Sequence, residues 1–287
     1  MTVAIDEIAI DAVSIDAVEA KASGSSFYAA MRLMPKAERR AMFAIYAFCR
    51  VVDDIADADD RPADIRRAEL AEWVADLHLF YAGERPRRLA FLTEAIERFG
   101  LKKEDFLAVI DGMLMDVDET IVAPSRAKLD LYIDRVACAV GRLSVHTFGM
   151  TEETGIEVAH HLGRALQQTN IIRDLDEDAA IGRLYLPEEA LAAAGITSRD
   201  PVAVIADPRV DLVCRELALD AQKHFDAARA IMRDRPSGRQ RTPRLMAEVY
   251  AHLLGRMAQQ GWVAPRTRAK ISKRYLAWLV VRYGLVG

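Results

Sequence analysis

Cysteine is scarce in this sequence of 287 residues. Its three cysteines, Cys49, Cys138 and Cys214, lie far apart and match no metal-ligand spacing. An odd and sparse count argues against a disulfide framework and is typical of a reducing compartment. We therefore predict that each cysteine is a small core residue and not a nucleophile.

The chain also lacks the usual marks of nucleic-acid-binding and membrane-spanning proteins. Its formal net charge is −4 and no basic block alternates with aromatic residues, so nucleic acid is not an expected partner. No segment reaches the roughly 18 to 20 uninterrupted apolar residues that cross a bilayer. The opening residues carry acidic side chains and no early Lys or Arg, which is unlike a secretory signal. These absences predict a cytoplasmic protein.

Glycine and proline, at 15 and 10 residues, punctuate long stretches without either. Within these stretches apolar residues recur every three or four positions, whereas the alternation of strands is scarce. We predict an all-α protein with a single domain over residues 23–287, preceded by a poorly ordered arm over residues 1–22. Helices are expected at about 26–33, 36–57, 62–81, 86–99, 103–119, 125–149, 151–177, 187–194, 201–206, 208–233, 242–260 and 270–284.

A first stripe of ionisable residues lies on one of the most apolar predicted helices. Tyr46, Arg50, Asp53, Asp54 and Asp57 follow the spacing of one helical face. Such a stripe on a buried helix is costly unless it faces a polar cavity or a metal ion. Two carboxylates one turn apart can share a hard cation such as Mg²⁺.

A second stripe has the same spacing. Gln167, Asn170, Asp174 and Asp178 share one face of a later predicted helix, with Arg173 at the edge of the stripe. Carboxylate and amide oxygens favour Mg²⁺ over zinc.

Spacing alone is weak support for a site, because it recurs in this chain without an assigned chemistry at Asp60/Asp64, Asp130/Asp134 and Asp207/Asp211. The two stripes differ in having apolar surroundings and arginine companions. Facing each other across a helical bundle, they would form two walls of a cavity in which Mg²⁺ and arginines hold a diphosphate.

At these residues the sequence resembles the squalene and phytoene synthase family, over about residues 24–285. The motifs are YAFCRVVDDIAD at 46–57, YIDRVACAVG at 132–141 and QQTNIIRDLDEDAAIGRLYLP at 167–187. GSSFYAAMRLMP at 24–35 and TPRLMAEVY at 242–250 are most similar to the bacterial branch of hopanoid-linked squalene formation.

The resemblance implies an isoprenoid synthase-type helical bundle with a central active-site cavity. It also implies Mg²⁺-dependent, head-to-head condensation of two farnesyl diphosphates into presqualene diphosphate. The first substrate loses its diphosphate, its C1 cation attacks the double bond of the second, and proton loss closes a cyclopropane. Downstream enzymes of the squalene pathway are candidate partners.

The resemblance also assigns roles to residues. The implied Mg²⁺ ligands are Asp53, Asp57, Asn170, Asp174 and Asp178. Arg50 and Arg173 would contact diphosphate, and Tyr132 would lie near the reacting carbons, stabilising a cation or guiding proton removal. A core tyrosine with a satisfied hydroxyl is the other interpretation of Tyr132. The polar lining would be completed by Ser26, Tyr46, Gln167, Arg183 and Tyr250.

Three alternative functions stay open on the sequence. These are phytoene synthesis from geranylgeranyl diphosphate, complete squalene synthesis with NADPH, and a catalytically inactive helical assembly protein.

Four smaller features have ordinary interpretations. Adjacent His160 and His161, without an apparent third ligand, suit a surface or packing role. Asp116 and Asp118 could add to the acidic site, but a helix-end acidic cluster is the favoured interpretation. Gly141 would permit the close approach of a helix or a prenyl tail. The basic stretch 266–274 fits a core helix with a basic flank, or peripheral docking at the inner face of an anionic membrane.

Overall fold

The computed structural model of the chain describes residues 31, 34–58 and 60–285. The predicted arm over residues 1–22, most of the predicted helix at 26–33, and Ser26 lie outside these residues.

The described part of the chain is helical throughout, and its one extended pairing is an isolated bridge between Val122 and Leu184. An all-α architecture is therefore confirmed. The α-helices are α1 (Lys36–Ala56), α2 (Ala63–Tyr81), α3 (Ala90–Phe99), α4 (Lys103–Asp118), α5 (Arg126–Ile133), α6 (Ala139–Thr147), α7 (Glu152–Arg173), α8 (Leu175–Ala180), α9 (Glu188–Ala193), α10 (Pro201–Ala206), α11 (Val210–Asp234), α12 (Arg241–Gln260) and α13 (Lys273–Leu285). A 3₁₀ turn over Arg87–Leu89 precedes α3, and a π-helical segment over Asp134–Cys138 joins α5 to α6.

The helix predicted at 125–149 contains a π-helical segment that periodicity did not reveal. The wider π turn lies between two glycines on neighbouring helices. A Cβ on Gly112 of α4 would come within 2.6 Å of Val136 Cγ1, and one on Gly163 of α7 within 2.8 Å of Cys138 Cα. Both helices can approach the extra bulk because neither has a side chain there.

The helix predicted at 151–177 is interrupted at Asp174, whose backbone leaves helical geometry (φ −104°, ψ 20°). One cause is Trp262, whose indole N–H donates to the carbonyl oxygen of Ile172 at 2.7 Å. The indole takes an acceptor that a continued helix would use, so α7 ends and α8 begins. Asp174 and Asp178 consequently lie on either side of a helix boundary.

Helix α7 is the central element of the bundle, because it packs against α6, α11 and α12 and against the π segment. Gly141 of α6 meets it closely, since an added Cβ would lie 3.1 Å from Ala159 Cβ. The expected role of Gly141 in close helix approach is confirmed.

The three cysteines behave as core residues. Cys138 and Cys214 are buried and Cys49 is partly buried. Burial raises the pKa of the Cys49 and Cys138 thiols to about 12, so both stay protonated at neutral pH and are poor nucleophiles.

The terminal helix α13 lies on α12, where Leu279 packs against Leu245, Met246 and Val249. On its other side Trp278 and Val281 are half exposed. Across the described residues, no helix has both the length and the apolar character needed to cross a membrane. Peripheral membrane docking stays a prediction.

The contact between α7 and the π segment generates a stability prediction. Gly163→Ala should lower the free energy of unfolding by about 1–3 kcal/mol, because the new methyl group meets backbone atoms of Cys138 that cannot rotate away. Urea unfolding followed by circular dichroism measures the change.

The matched control is Gly255→Ala in α12, where an added Cβ meets nothing within 4 Å. This replacement should raise the free energy of unfolding by about 0.5–1 kcal/mol, because alanine is the better helix former. Equal effects of the two replacements would contradict the proposed close contact.

Candidate active site

Most aspartates of the two stripes lie at the C-terminal ends of helices, whereas Asp178 lies within the short α8. Asp53 is in the last turn of α1 and Asp57 follows that helix, while Asp174 follows the last residue of α7. Asp116 is in the last turn of α4. Helix C-termini carry partial negative charge and favour cations, so carboxylates gathered there suffer repulsion that a bound cation would relieve.

A short backbone pairing brings the end of α4 to the segment that follows α8. Ala123 N–H donates to the Leu184 carbonyl at 2.8 Å, and Leu184 N–H donates to the Ile121 carbonyl at 2.9 Å. This pairing places Arg183 and Tyr185 beside the two aspartate stripes. Arg183 Nη2 lies 2.9 Å from Asp57 Oδ1.

Asp116 is electrostatically close to both stripes, although the favoured interpretation of the sequence left it out of the site. Its carboxylate accepts hydrogen bonds from the hydroxyls of Tyr132 and Tyr185, each at 3.0 Å. The two tyrosines are buried and their rings stack with centroids 5.0 Å apart. Asp118 is exposed and pairs instead with Arg67 at 2.6 Å. For Asp116 the contacts therefore favour the other interpretation, an addition to the acidic site.

Helical periodicity in the sequence distinguishes Asp116 from Asp118. Buried Val109, Gly112 and Met113 precede Asp116 by seven, four and three positions, so Asp116 continues the buried face of α4. Asp118 is two positions further along the helix and off that face.

The carboxylates on the two stripes influence one another. Burial, and then the charge of Asp57, raises the pKa of Asp53 to about 6. Burial, and then the charge of Asp174, raises the pKa of Asp178 to about 7. Asp116 adds to both increases, so it is electrostatically close to each stripe. Asp116 therefore links the two stripes electrostatically.

Asp174 is the carboxylate best supplied with counter-charge. Arg173 Nε donates to its Oδ1 at 2.8 Å, and Arg268 Nη2 donates to the same oxygen at 2.6 Å. Burial alone would raise the pKa of Asp174, but these hydrogen bonds hold that pKa below its ordinary value.

The basic stretch 266–274 contacts the acidic residues of the second stripe and their neighbours along the chain. Arg268 also pairs with Glu177 at 3.1 Å, and Arg266 Nε donates to Asp176 at 2.8 Å. Sequence reasoning connected this stretch only with a membrane or a helix flank, because its acidic partners are about 90 residues earlier in the chain.

Asn170 offers the clearest acceptor for a ligand. Its Oδ1 is buried and accepts no hydrogen bond from any described residue, whereas its Nδ2 donates to Gln167 Oε1 at 3.4 Å. A buried polar atom without a partner is costly, and coordination of a cation would satisfy it.

The remaining predicted residues border the same region. On α1, Arg50 donates to Asp53 at 2.6 Å and to Asp54 at 2.5 Å. Burial raises the pKa of Tyr46, one turn before Arg50, and Asp53 adds to the increase. On the opposite stripe, Tyr250 lies close enough to Arg173 to raise its pKa, against the effect of burial.

Comparison with known proteins identifies the family of the chain. A family model described as Squalene/phytoene synthase matches residues 20–275. The chain belongs to the squalene/phytoene synthase family. The resemblance found in the sequence motifs is thereby confirmed. Such prenyl diphosphate-processing enzymes are generally metal-dependent.

Individual relatives within the squalene/phytoene synthase family match nearly the whole chain. Presqualene diphosphate synthase of Rhodopseudomonas palustris is 52% identical over 265 residues, covering 92% of this chain and 95% of that protein. Presqualene diphosphate synthase of Zymomonas mobilis is 53% identical over 261 residues, covering 91% and 89%. The crystal structure of a squalene synthase from Alicyclobacillus acidocaldarius is similar with a TM-score of 0.76 at 27% identity, covering 87% of this chain and 94% of that one.

The raised carboxylate pKa values generate a prediction for the metal-free protein. The folded state holds a proton on Asp178 up to about pH 7, whereas the unfolded state releases it near pH 4. The free energy of unfolding should therefore fall as the pH rises through this window. Asp178→Asn removes this loss, and in EDTA it should be more stable than the unchanged chain by about 1–2 kcal/mol at pH 8, with no gain at pH 4.

Urea unfolding at the two pH values measures the difference. Asp64→Asn is the control, because Asp64 is exposed at the first turn of α2 and its charge is favourable there. A gain at pH 8 for Asp64→Asn, or none for Asp178→Asn, would contradict the raised pKa of Asp178, to which burial and the charge of Asp174 contribute.

Proposed function

We propose that this chain is a prenyltransferase that joins two farnesyl diphosphates head to head into presqualene diphosphate and releases diphosphate, with Mg²⁺ as its cofactor. The observation that carries the proposal is the position of Asp116 and Arg183 between two aspartate stripes. Arg183 pairs with Asp57 and its backbone N–H donates to the Asp178 carbonyl, while the charge of Asp116 acts on Asp53 and Asp178. The two relatives named presqualene diphosphate synthase, at 52% and 53% identity, support this substrate and product.

The proposed Mg²⁺ ligands are Asp53, Asp57, Asn170, Asp174 and Asp178. The unpaired Oδ1 of Asn170 and the raised pKa values of Asp53 and Asp178 support this set, because each of these groups gains from a nearby cation. Bound Mg²⁺ would supply Lewis acidity for the departing diphosphate.

The arginines beside the aspartates would bind the diphosphate. Arg50, Arg173 and Arg268 now pair with Asp53, Asp54 and Asp174, and their planar guanidinium groups also suit phosphate oxygens. When a cation occupies the carboxylates, these donors become available to an anion. Gln167, Arg183, Tyr46 and Tyr250 would complete the polar border.

Tyr132 would contribute mainly its ring. Burial, and then Asp116, raises the pKa of its phenol well above the ordinary value, so the hydroxyl stays protonated and acts as a donor to Asp116. A hydroxyl held in this way is a weak base. Of the two roles open on the sequence, stabilisation of an allylic cation by the ring therefore has the better support.

Product analysis tests the proposed function. Purified protein with farnesyl diphosphate and Mg²⁺ should form presqualene diphosphate without NADPH. Forty-carbon product from geranylgeranyl diphosphate, with farnesyl diphosphate inert, would favour phytoene synthesis instead. Squalene formed by this protein alone on addition of NADPH would show a complete squalene synthase. Asp53→Asn and Asp174→Asn should each abolish product formation while preserving the helical circular dichroism. If the unchanged protein forms no product, the catalytically inactive assembly protein is favoured instead.

The structure separates Asp116 from Asp118, which provides a matched pair of variants. Asp116→Asn should lower the condensation rate by about a hundredfold, because it removes a charge close to both stripes and one of the two oxygens that accept the tyrosine hydroxyls. Asp118→Asn, two residues away on the exposed side of the same helix, should keep nearly full activity. Steady-state rates with farnesyl diphosphate measure both, and similar losses in the two variants would contradict the role given to Asp116.

A further inference from the structure

Three of the six histidines gather beside the middle of α7, away from the acidic site at its C-terminal end. His160 and His161 lie in the first half of α7, and His224 lies on α11, which packs along it. One ligating atom from each imidazole lies within 4.8 Å of the others. His224 is the third ligand that was not apparent in the sequence, because it follows the histidine pair by more than 60 residues.

Two of these rings already point nitrogen atoms at each other. His161 Nδ1 lies 2.9 Å from His224 Nδ1, and the ring centroids are 5.1 Å apart. Zinc binds imidazole nitrogen at about 2.0–2.1 Å, so two nitrogens at this separation would subtend about 90° at one ion. The pair therefore needs only a small adjustment to share a metal ion.

The imidazole of His160 lies close enough to the other two rings to become a third ligand. His160 is exposed, and its ring centroid lies 4.9 Å from that of His161 and 6.0 Å from that of His224. Its Nδ1 now lies 2.9 Å from Arg164 Nη1. Arg164 can release it, because its Nε and Nη2 both donate to Asp130 at 3.0 and 3.1 Å.

Neighbouring carboxylates support the cluster from outside. Asp220, one turn before His224 on α11, has Oδ2 at 3.9 Å from His224 Nε2. A carboxylate on the far nitrogen orients a ligating imidazole and increases its basicity. Glu157, one turn before His161, adds negative charge that partly balances Arg164.

We propose that His160, His161 and His224 form a binding site for a divalent transition metal ion, with zinc as its best fit. An all-imidazole ligand set selects zinc over Mg²⁺, which prefers oxygen. His161 precedes Asn170 by nine residues, so the site lies about 14 Å along α7 from the acidic site. A metal ion there would tie α7 to α11.

Zinc titration of the full-length protein, stripped with EDTA and kept in excess Mg²⁺, tests this site by calorimetry. One equivalent of zinc should bind, and zinc at a hundredfold over its Kd should raise the melting temperature by about 5 °C or more. His161→Gln and His224→Gln should each weaken zinc binding at least about tenfold. His160→Gln should weaken it too, and this exposed position carries little risk to folding.

The matched control is His146→Gln on α6, which replaces a histidine outside the cluster and should leave zinc affinity unchanged. Circular dichroism without metal establishes that each variant is folded. Unchanged zinc affinity in the cluster variants would overturn the site. Loss of zinc binding in Asp53→Asn or Asp174→Asn, with affinity kept in His161→Gln, would place the ion at the acidic site and overturn it as well.

Discussion

Repulsion among carboxylates crowded at helix C-termini is the constraint around which the rest of this chain is organised. Asp53, Asp116 and Asp178 each have a raised pKa. The negative ends of α1 and α4 add to the repulsion at Asp53 and Asp116. Several charges of one sign cannot be held together without counter-charge. Arg183, beside Asp57 and Asp116, supplies it at the centre.

The arginines of the site are occupied in the ligand-free chain. Arg50, Arg173 and Arg268 each donate to an aspartate of a stripe, so the acidic residues and their basic neighbours neutralise one another. A cation that takes the carboxylates would free guanidinium groups for an anion, and an anion that takes the guanidinium groups would free carboxylates for a cation. Binding of metal and diphosphate should therefore be mutually favourable, as linkage requires of any such exchange.

Much of this structure is readable from the sequence because helical periodicity is local. The predicted bounds of α1, α2, α4 and α12 agree with the structure within one residue, and the spacing of Tyr46, Arg50 and Asp53 along α1 follows from the same period. The break at Asp174 is different, since it depends on Trp262 reaching the carbonyl of Ile172 from 90 residues away. The π segment likewise depends on space that Gly112 and Gly163 leave on two other helices.

The missed site residues divide in the same way. The position of Asp116 in the site could have been predicted from the sequence, because this residue continues the buried face of its own helix. The roles of Arg268 and His224 could not have been predicted in this way, because each contacts a residue that only the tertiary fold brings near. A residue type at helical spacing can be placed on a face, but its partner on another helix depends on how the helices pack.

Helix α7 carries two ligand chemistries that do not interfere with each other. Its C-terminal end offers amide and carboxylate oxygens, which suit a hard cation, and its first half offers imidazoles, which suit a softer one. The oxygen ligands and the imidazoles are kept apart by α7 itself. This helix is fixed by close contacts of Ala159 with Gly141 and of Gly163 with Cys138. Because these contacts are between backbones or methyl groups, α7 has little freedom to slide. An ion held between α7 and α11 would reinforce that rigidity without adding positive charge beside the aspartates.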